Sequence, residues 1–426
     1  MKKGSAGTRS SLSNAGVLVM LFLGFRLLMF LAYQPVLTEH GEAGIGAGGD
    51  RLFHFRLAAL ADEGKFPFRD WWSEFPPIWP AISTGVFLLL GEGVNYSNWS
   101  LVLGMLMLAF ETGNLLLVRG IGCLLYGNST GGNLAWVYAL SIAPAIFMWW
   151  NFDSMMNFFF LMGIYYLIKG RDSQAALAIA LGILVKFVPA LVCGAIIRYR
   201  RPMPIIRFAT LGAIVVVLAY LPLFAINYEL ASVSLRAQAE KPSSQTIWAL
   251  LDGNYATGNF GPVEDRLKEP GEVDNGDRNG ARIPNWLRLA VAAGLGLLVF
   301  LTTRRDDDRA LIAFVGVTIL IFYLQAQAWS PQWVSLIIPL TLLAFPSARG
   351  VLATIVLSLL AFAEYPVLWS RTADLDPPGE MGGEWFLPWA LIVLLRTGLL
   401  AGLAAAFYKV LREHVAAPET TGQERQ

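Results

Sequence analysis

Residues 48–90 hold the densest set of chemistry-bearing side chains in this sequence. Asp50, Asp62, Glu63, Asp70 and Glu74 alternate there with Arg51, His54, Arg56, Lys65 and Arg69, and aromatic residues run throughout. A carboxylate beside a hydroxyl can take its proton as the oxygen attacks, which is general-base work. Asp70 and Glu74 flank Trp71 and Trp72, and acids beside aromatic rings suit a sugar, whose C–H face packs on a ring. Each residue also has a plainer reading. Asp50 can be a loop acid paired with Arg51 or Arg56. Glu74 can cap a helix that follows Pro76 and Pro77, and the tryptophans can be interfacial anchors.

A second set of candidates is spread along the chain. Lys186 stands in the middle of an apolar run, where a cation is costly and marks a functional site by default. It reads as a ligand for an anion such as phosphate, or as the ion-pair partner of Asp153. His54, Arg236 and Lys241 are alternative phosphate ligands. Arg26 and Glu111 lie about 18 Å and about 12 Å from the inner face at 1.5 Å per residue. They read as a buried ion pair that fixes helix packing. Gln332 sits in a Ser-Pro-Gln-Trp corner, and Gln245 and Trp248 lie in a second polar loop. These three are candidates for sugar or acceptor contact.

The elements that must position these residues are membrane helices. The chain has 426 residues, 55% hydrophobic and 15% charged, with mean hydropathy +0.53. Soluble domains carry about 25% charged residues. The apolar residues fall in runs long enough to cross a bilayer core of about 30 Å. They lack the strict alternation of barrel strands, so the fold class is an all-α polytopic membrane protein. A net charge of +1 without a basic patch gives no sign of nucleic acid, and two cysteines give no disulfide framework. The basic residues of segment 1–12 place it in the cytoplasm by the positive-inside rule.

Charge bias then orders the chain. A first helix over 13–36 leads to an extracytoplasmic loop, 37–98. Within that loop, 76–90 is short for a span and reads as a re-entrant or juxtamembrane helix. Further helices are expected over 99–118, 134–149, 158–168 and 175–197, the last broken into two at Lys186 because Pro189 cannot donate and disfavours helix before it. Helix 205–227 precedes a second outer loop, 228–284, whose acidic, glycine-rich part reads as mobile. Helices over 286–302, 310–327, 333–345, 352–369 and 388–410 complete about 12 crossings. Residues 13–412 form one domain, and the tail 413–426 reads as disordered and cytoplasmic.

The chain resembles the GT-C glycosyltransferases that use polyprenyl-phosphate sugars. It is most similar to their bacterial polyprenol-phosphate-mannose-dependent branch, often called DUF2029. Four local matches carry the resemblance: Asp50 in GGDRLFHF; Gly64 to Asp70 followed by Glu74-Phe75-Pro76-Pro77; Gly182 through Lys186 to Pro189; and Ser330-Pro331-Gln332-Trp333. Phe75 and Trp333 stand where tyrosine is usual. The resemblance implies a plasma-membrane hexosyltransferase, a mannosyltransferase by its branch. It implies transfer from a polyprenyl-phosphate donor to a glycan, glycolipid or protein acceptor at the outer surface, with Asp50 as general base. Arg51, His54, Asp70, Glu74, Asp153, Lys186, Gln245, Trp248 and Gln332 are its substrate-binding candidates. The first loop has no D-x-D pair of the kind the GPI mannosyltransferase carries, so no metal or other cofactor is indicated. The alternative is a transporter or flippase of lipid-linked saccharides, which would spread charges along several helices; here the polar mass gathers in two loops.

Overall fold

The structure is a computed structural model that describes residues 15–39, 41–240, 242–257, 261–269, 278–372, 375 and 379–413. The tails at 1–12 and 414–426 lie outside the described residues, as does 270–277 of the acidic stretch expected to be mobile.

The first helix, α1, is Ala15–Ala32. A small hairpin follows, β1 (Val36–Thr38) and β2 (Gly41–Ala43), antiparallel with Val36 opposite Ala43. The first half continues with α2 (Arg51–Ala59), α3 (Ile78–Leu90), α4 (Tyr96–Leu140), α5 (Ile142–Trp150), α6 (Asp153–Ile168), α7 (Asp172–Val185), α8 (Val192–Tyr199) and α9 (Pro202–Ile226). The second half holds α10 (Tyr228–Glu240), α11 (Ile247–Asp252), α12 (Asn285–Thr302), α13 (Asp308–Gln325), α14 (Val334–Ala344), α15 (Ala348–Phe362), α16 (Trp369–Thr372) and α17 (Phe386–Arg412).

Two breaks shape the first half. α4 is a hairpin of two helices, because Gly127 inside it takes φ 83° and ψ 168°. Its legs are pressed together: a Cβ on Gly131 would lie 2.5 Å from the Cys123 nitrogen. The two helices expected over 99–118 and 134–149 therefore meet at a tight turn, and the second ends at Ser141. The second break is at Lys186, which is extended (φ −161°, ψ 140°) between α7 and a short 3-10 turn at Val188–Leu191. That interruption lies where Pro189 led the sequence reading to put it.

Among the described residues, seven helices are long and apolar enough to cross a membrane, and five shorter apolar ones accompany them. The count of about 12 full crossings stays an expectation. α3 has 13 residues, about 20 Å at 1.5 Å per residue, shorter than the bilayer core. Only 6% of the most apolar window of α9 is buried inside the protein, and Val217, Leu218 and Leu221 are exposed along it. Apolar side chains in that position need an apolar solvent, which the bilayer supplies. α14 shows the opposite: all eleven of its residues are buried, as expected for a helix that is apolar all round. It packs on α4, α5, α6, α13 and α15, so it joins the two halves. The second polar loop is more structured than a loop over 228–284 suggests. α10 turns back on α9, and Ser234 hydrogen-bonds Tyr220 at 3.1 Å.

The expected Arg26–Glu111 ion pair does not form. Glu111 accepts from the Tyr138 hydroxyl at 2.6 Å and from Asn114 at 3.0 Å. Among the described residues Arg26 hydrogen-bonds only the Ala139 carbonyl, at 3.4 Å, and lies over the Phe22 ring. The hairpin at Gly127 brings Tyr138 to the level of Glu111 and satisfies the acid locally.

Candidate active site

Asp50 ends a glycine-rich turn that follows β2. The sequence suggests a flexible approach, but the turn is clamped. A Cβ on Gly49 would lie 1.7 Å from Cδ1 of Trp150, and one on Gly46, at φ +86°, 2.6 Å from the Trp149 carbonyl. The glycines let the backbone press against α5. Glu42 accepts the Gly48 N–H at 2.9 Å and the Tyr96 hydroxyl, and the Tyr365 hydroxyl donates to the Ala47 carbonyl. Burial pushes the Glu42 carboxyl up, against the Tyr96 and Gly48 hydrogen bonds and the charges of Arg51 and Arg56. Asp50 precedes α2 but does not cap it. Its carboxylate turns to Asn151, which donates through Nδ2. The residue as a whole is half-buried.

Asn151 starts the link between α5 and α6, and Asp153 begins α6 two residues later. Lys186 Nζ donates to Asp153 Oδ1 at 2.8 Å. This is the ion pair weighed in the sequence, and Asp153 is almost wholly buried while Lys186 keeps a small exposed part. An ammonium has three donors, so one bond leaves two for another anion. Asp153 Oδ2 is buried without a hydrogen-bond partner among the described residues. Rings enclose the cation on one side: Phe152 at 5.6 Å and Phe75 at 6.0 Å from centroid to Nζ. Thus one four-residue link, Trp150 to Asp153, carries both the contact to Asp50 and the contact to Lys186.

His54 packs behind this link. Its ring meets Phe75, Trp79 and Phe152 at 5.3–5.8 Å between centroids. Burial first, then Arg266, Arg51 and Lys186, pull its pKa down to about 3. The imidazole is neutral at ordinary pH, which removes the electrostatic reason for listing it among phosphate ligands. Arg51 is buried and donates to the Ser100 carbonyl at 3.0 Å and the Met148 carbonyl at 3.2 Å. Burial lowers its pKa to about 10, still a cation. It ties α2 to α4 and α5 instead of pairing with Asp50.

Other candidates fall into separate contacts. Desolvation raises the Asp70 carboxyl, but the Phe66 N–H at 2.8 Å, Arg69 Nε at 2.7 Å and the charges of Arg69 and Lys65 together outweigh it and hold the carboxyl below the usual range. It braces a turn in which Phe68 takes φ 60°. Glu74 does not cap α3, which begins at Pro77 without a side-chain cap. Glu74 pairs with Arg266 of the second loop at 3.2 Å, both buried. Trp71 and Trp72 are buried in protein rather than anchored at an interface, and Arg266 lies 4.2 Å over the Trp72 ring.

Gln245 takes φ 54° and donates to Glu364 Oε1 at 3.3 Å. Glu364 also binds Arg396 and the Trp329 indole. Trp248 donates to the Leu324 carbonyl at 3.0 Å. Gln332 is buried in the turn at Pro331–Trp333 and accepts from Ser330. That turn packs against α5 and α15. Arg236 is exposed on α10, and Lys241 lies outside the described residues.

Three residues matter here that the sequence did not mark. Asn151 was legible as the polar residue after two tryptophans in WWNFD. Arg396 stands alone in an apolar run, the same signal that exposed Lys186. Arg266 sits in an ordinary polar stretch and had none. Among the described residues, no three of His, Cys, Asp or Glu gather as metal ligands.

No protein-family model matches the chain, and no curated protein matches it. Among solved structures it is similar to the apo crystal structure of the oligosaccharyltransferase of Archaeoglobus fulgidus. That likeness has TM-score 0.44 and 10% identity, over 98% of this chain and 57% of the other. The archaeal oligosaccharyltransferase from the same organism, in complex with an inhibitory peptide and a dolichol-phosphate, matches with TM-score 0.39 and 10% identity, over 96% and 56%. The chain spans a little over half the length of these structures.

Proposed function

We propose that this protein is a membrane glycosyltransferase that moves a sugar from a polyprenyl-phosphate donor to an acceptor hydroxyl of a cell-envelope glycan, lipid or protein, on the extracytoplasmic side. The observation that carries the reading is the shared link 150–153. It holds a half-buried carboxylate, Asp50, through Asn151, and a partly exposed ammonium, Lys186, through Asp153. Sugar transfer needs those two charges on opposite sides of one carbon.

In the proposed reaction Asp50 takes the acceptor proton as the acceptor atom attacks the anomeric carbon. The new bond forms as the bond from that carbon to the phosphate oxygen breaks, and the electron pair leaves with the phosphate. Lys186 meets the growing phosphate charge with its two remaining donors. Asp153 keeps the ammonium oriented. The clamped glycine turn fixes Asp50, so little ordering is left for the reacting state. Mannose is the proposed sugar, on the four sequence matches to the polyprenol-phosphate-mannose branch.

The test is transfer from labelled polyprenyl-phosphate mannose, glucose and arabinose to native membrane acceptors, comparing wild type with Asp50→Asn. The expected result is mannose transfer that drops about 100-fold or more in the variant at unchanged folded yield. Equal rates would move the base to another residue. Transfer of another sugar alone would remove mannose. No transfer from any donor, with lipid-linked saccharide translocated in vesicles, would favour the flippase.

A further inference from the structure

Asn151 stands where α5 gives way to α6. Its N–H still bonds the Phe147 carbonyl at 3.1 Å, but its backbone is extended (φ −144°, ψ −170°), so α5 ends there. The residue is 2% exposed. Its Oδ1 accepts the Phe152 N–H, and its Nδ2 donates to Asp50 Oδ2. An N–H can only donate, so the Phe152 bond fixes which end of the amide is oxygen and leaves the NH2 end for the carboxylate.

Phe152 is itself held. Its ring is wholly buried, stacked on Trp79 at 4.5 Å and 18°, and edge-on to Phe75 at 4.9 Å and 84°. Its carbonyl accepts the Met155 N–H at 3.1 Å in the first turn of α6. The amide is therefore a donor fixed before the acid is considered. A donor fixed in this way favours a charged carboxylate over the neutral acid.

We infer that Asn151 is a positioning residue for sugar transfer: its fixed amide keeps Asp50 ionised and holds the carboxylate in the orientation that takes the acceptor proton. The inference rests on the reading of Asp50 as general base. It assigns the ionisation of that base to one amide, separate from the cation that meets the phosphate. Among the described residues, the other charged or titratable groups around this turn are Glu42, Tyr96 and Tyr365, then Arg51, His54 and Arg56 of α2, and the Asp153–Lys186 pair beyond the link. α5 carries none. All of these are kept in variants of Asn151, so a change in pH profile reports the amide.

The experiment measures kcat and donor KM with labelled polyprenyl-phosphate mannose and native membrane acceptors, on the purified full chain, from about pH 4.5 to about pH 8.5. Asn151→Ala removes the donor. Its kcat is expected to fall about tenfold or more, and the acid limb of its pH profile to move up by about one unit or more. Its donor KM should stay within about twofold of wild type, because Lys186 and Asp153 are untouched. Asn151→Asp keeps the size and the Phe152 contact but sets a second carboxylate against Asp50. Its acid limb should also move up, since the two acids share a proton. If Asn151→Ala does not fold, Asn151→Asp carries the test. An acid limb at the wild-type pH in either folded variant, or a loss confined to donor KM, overturns the inference. Asp50→Asn is run beside them. If it transfers like wild type, the base is misassigned and the role of Asn151 falls with it. If it is inactive while the Asn151 variants keep the wild-type profile, only the role of Asn151 falls.

Discussion

Arg266 donates to Glu74 at 3.2 Å across 192 residues of chain, and both side chains are buried. The first polar loop is thereby fastened to the second. The same arginine lies over Trp72 and Phe53, and its carbonyl accepts the Trp72 N–H. Burial lowers its pKa only to about 10, so Arg266 is a cation at neutral pH. Removing one member of such a pair strands a charge, at roughly 3–5 kcal/mol. Arg266→Ala and Glu74→Ala should each lower the thermal midpoint in detergent by several degrees. The double variant should recover part of the loss. If the double variant is as unstable as the sum of the two, the pair is not coupled.

Lys186 and Asp153 allow a sharper division between folding and chemistry. Losing either alone leaves a buried charge, so single variants confound the two. Lys186→Met combined with Asp153→Asn removes both charges together. That protein should fold with near wild-type yield and transfer sugar about 100- to 1,000-fold more slowly, the scale of losing a charge-stabilising donor. Wild-type transfer by the double variant would make Lys186 a structural residue only.

These two pairs also mark how far the sequence could be read. The break at Lys186 was legible because Pro189 and a charge interrupt an apolar run, and both signals are local. The Glu74–Arg266 contact was not, because polar loops have no periodicity that ties one to another. The Arg26–Glu111 pairing failed for a geometric reason. Matching depth along two helices does not fix which faces meet, and the hairpin at Gly127 brought Tyr138 to the acid first. The glycines before Asp50 read as freedom in one dimension; Gly49 answers to the Trp150 indole, Gly48 to the Trp369 indole and Gly46 to the Trp149 carbonyl, all distant in sequence, which composition cannot show.

His54 gives a pH dependence with a definite sign. Its folded pKa of about 3 lies below the ordinary 6.5. Between those values the unfolded chain binds a proton that the folded chain does not. Stability is therefore fully present above pH 6.5 and falls as pH drops toward 3, by about 1.4 kcal/mol per unit, or about 2 kcal/mol by pH 5. His54→Phe suits the surrounding rings and removes the titration. Thermal midpoints at pH 5 and 7.5 should differ less in this variant than in wild type. An equal difference would mean that the ring is protonated in the folded state.

The turn before Asp50 is the last point at which structure and reaction can be separated. Gly49 is required by contact: an added Cβ would lie 1.7 Å from Cδ1 and 1.8 Å from Nε1 of Trp150. Gly49→Ala must push the indole aside or shift Asp50, and overpacking of this kind costs about 1–3 kcal/mol. Gly132→Ala, in α4 with nothing within 4 Å of its Cβ, should be neutral or stabilise by up to about 1 kcal/mol. Adding Trp150→Leu to Gly49→Ala makes room for the methyl, so the two changes should couple by more than about 0.5 kcal/mol. If transfer also recovers in the double variant, the glycine serves the reaction by positioning the Asp50 carboxylate. If stability recovers and transfer does not, Trp150 itself has a part in the site. Independent, additive losses would show that the glycine turn and the indole are not pressed together, and the clamped geometry assigned to Asp50 would fall with them.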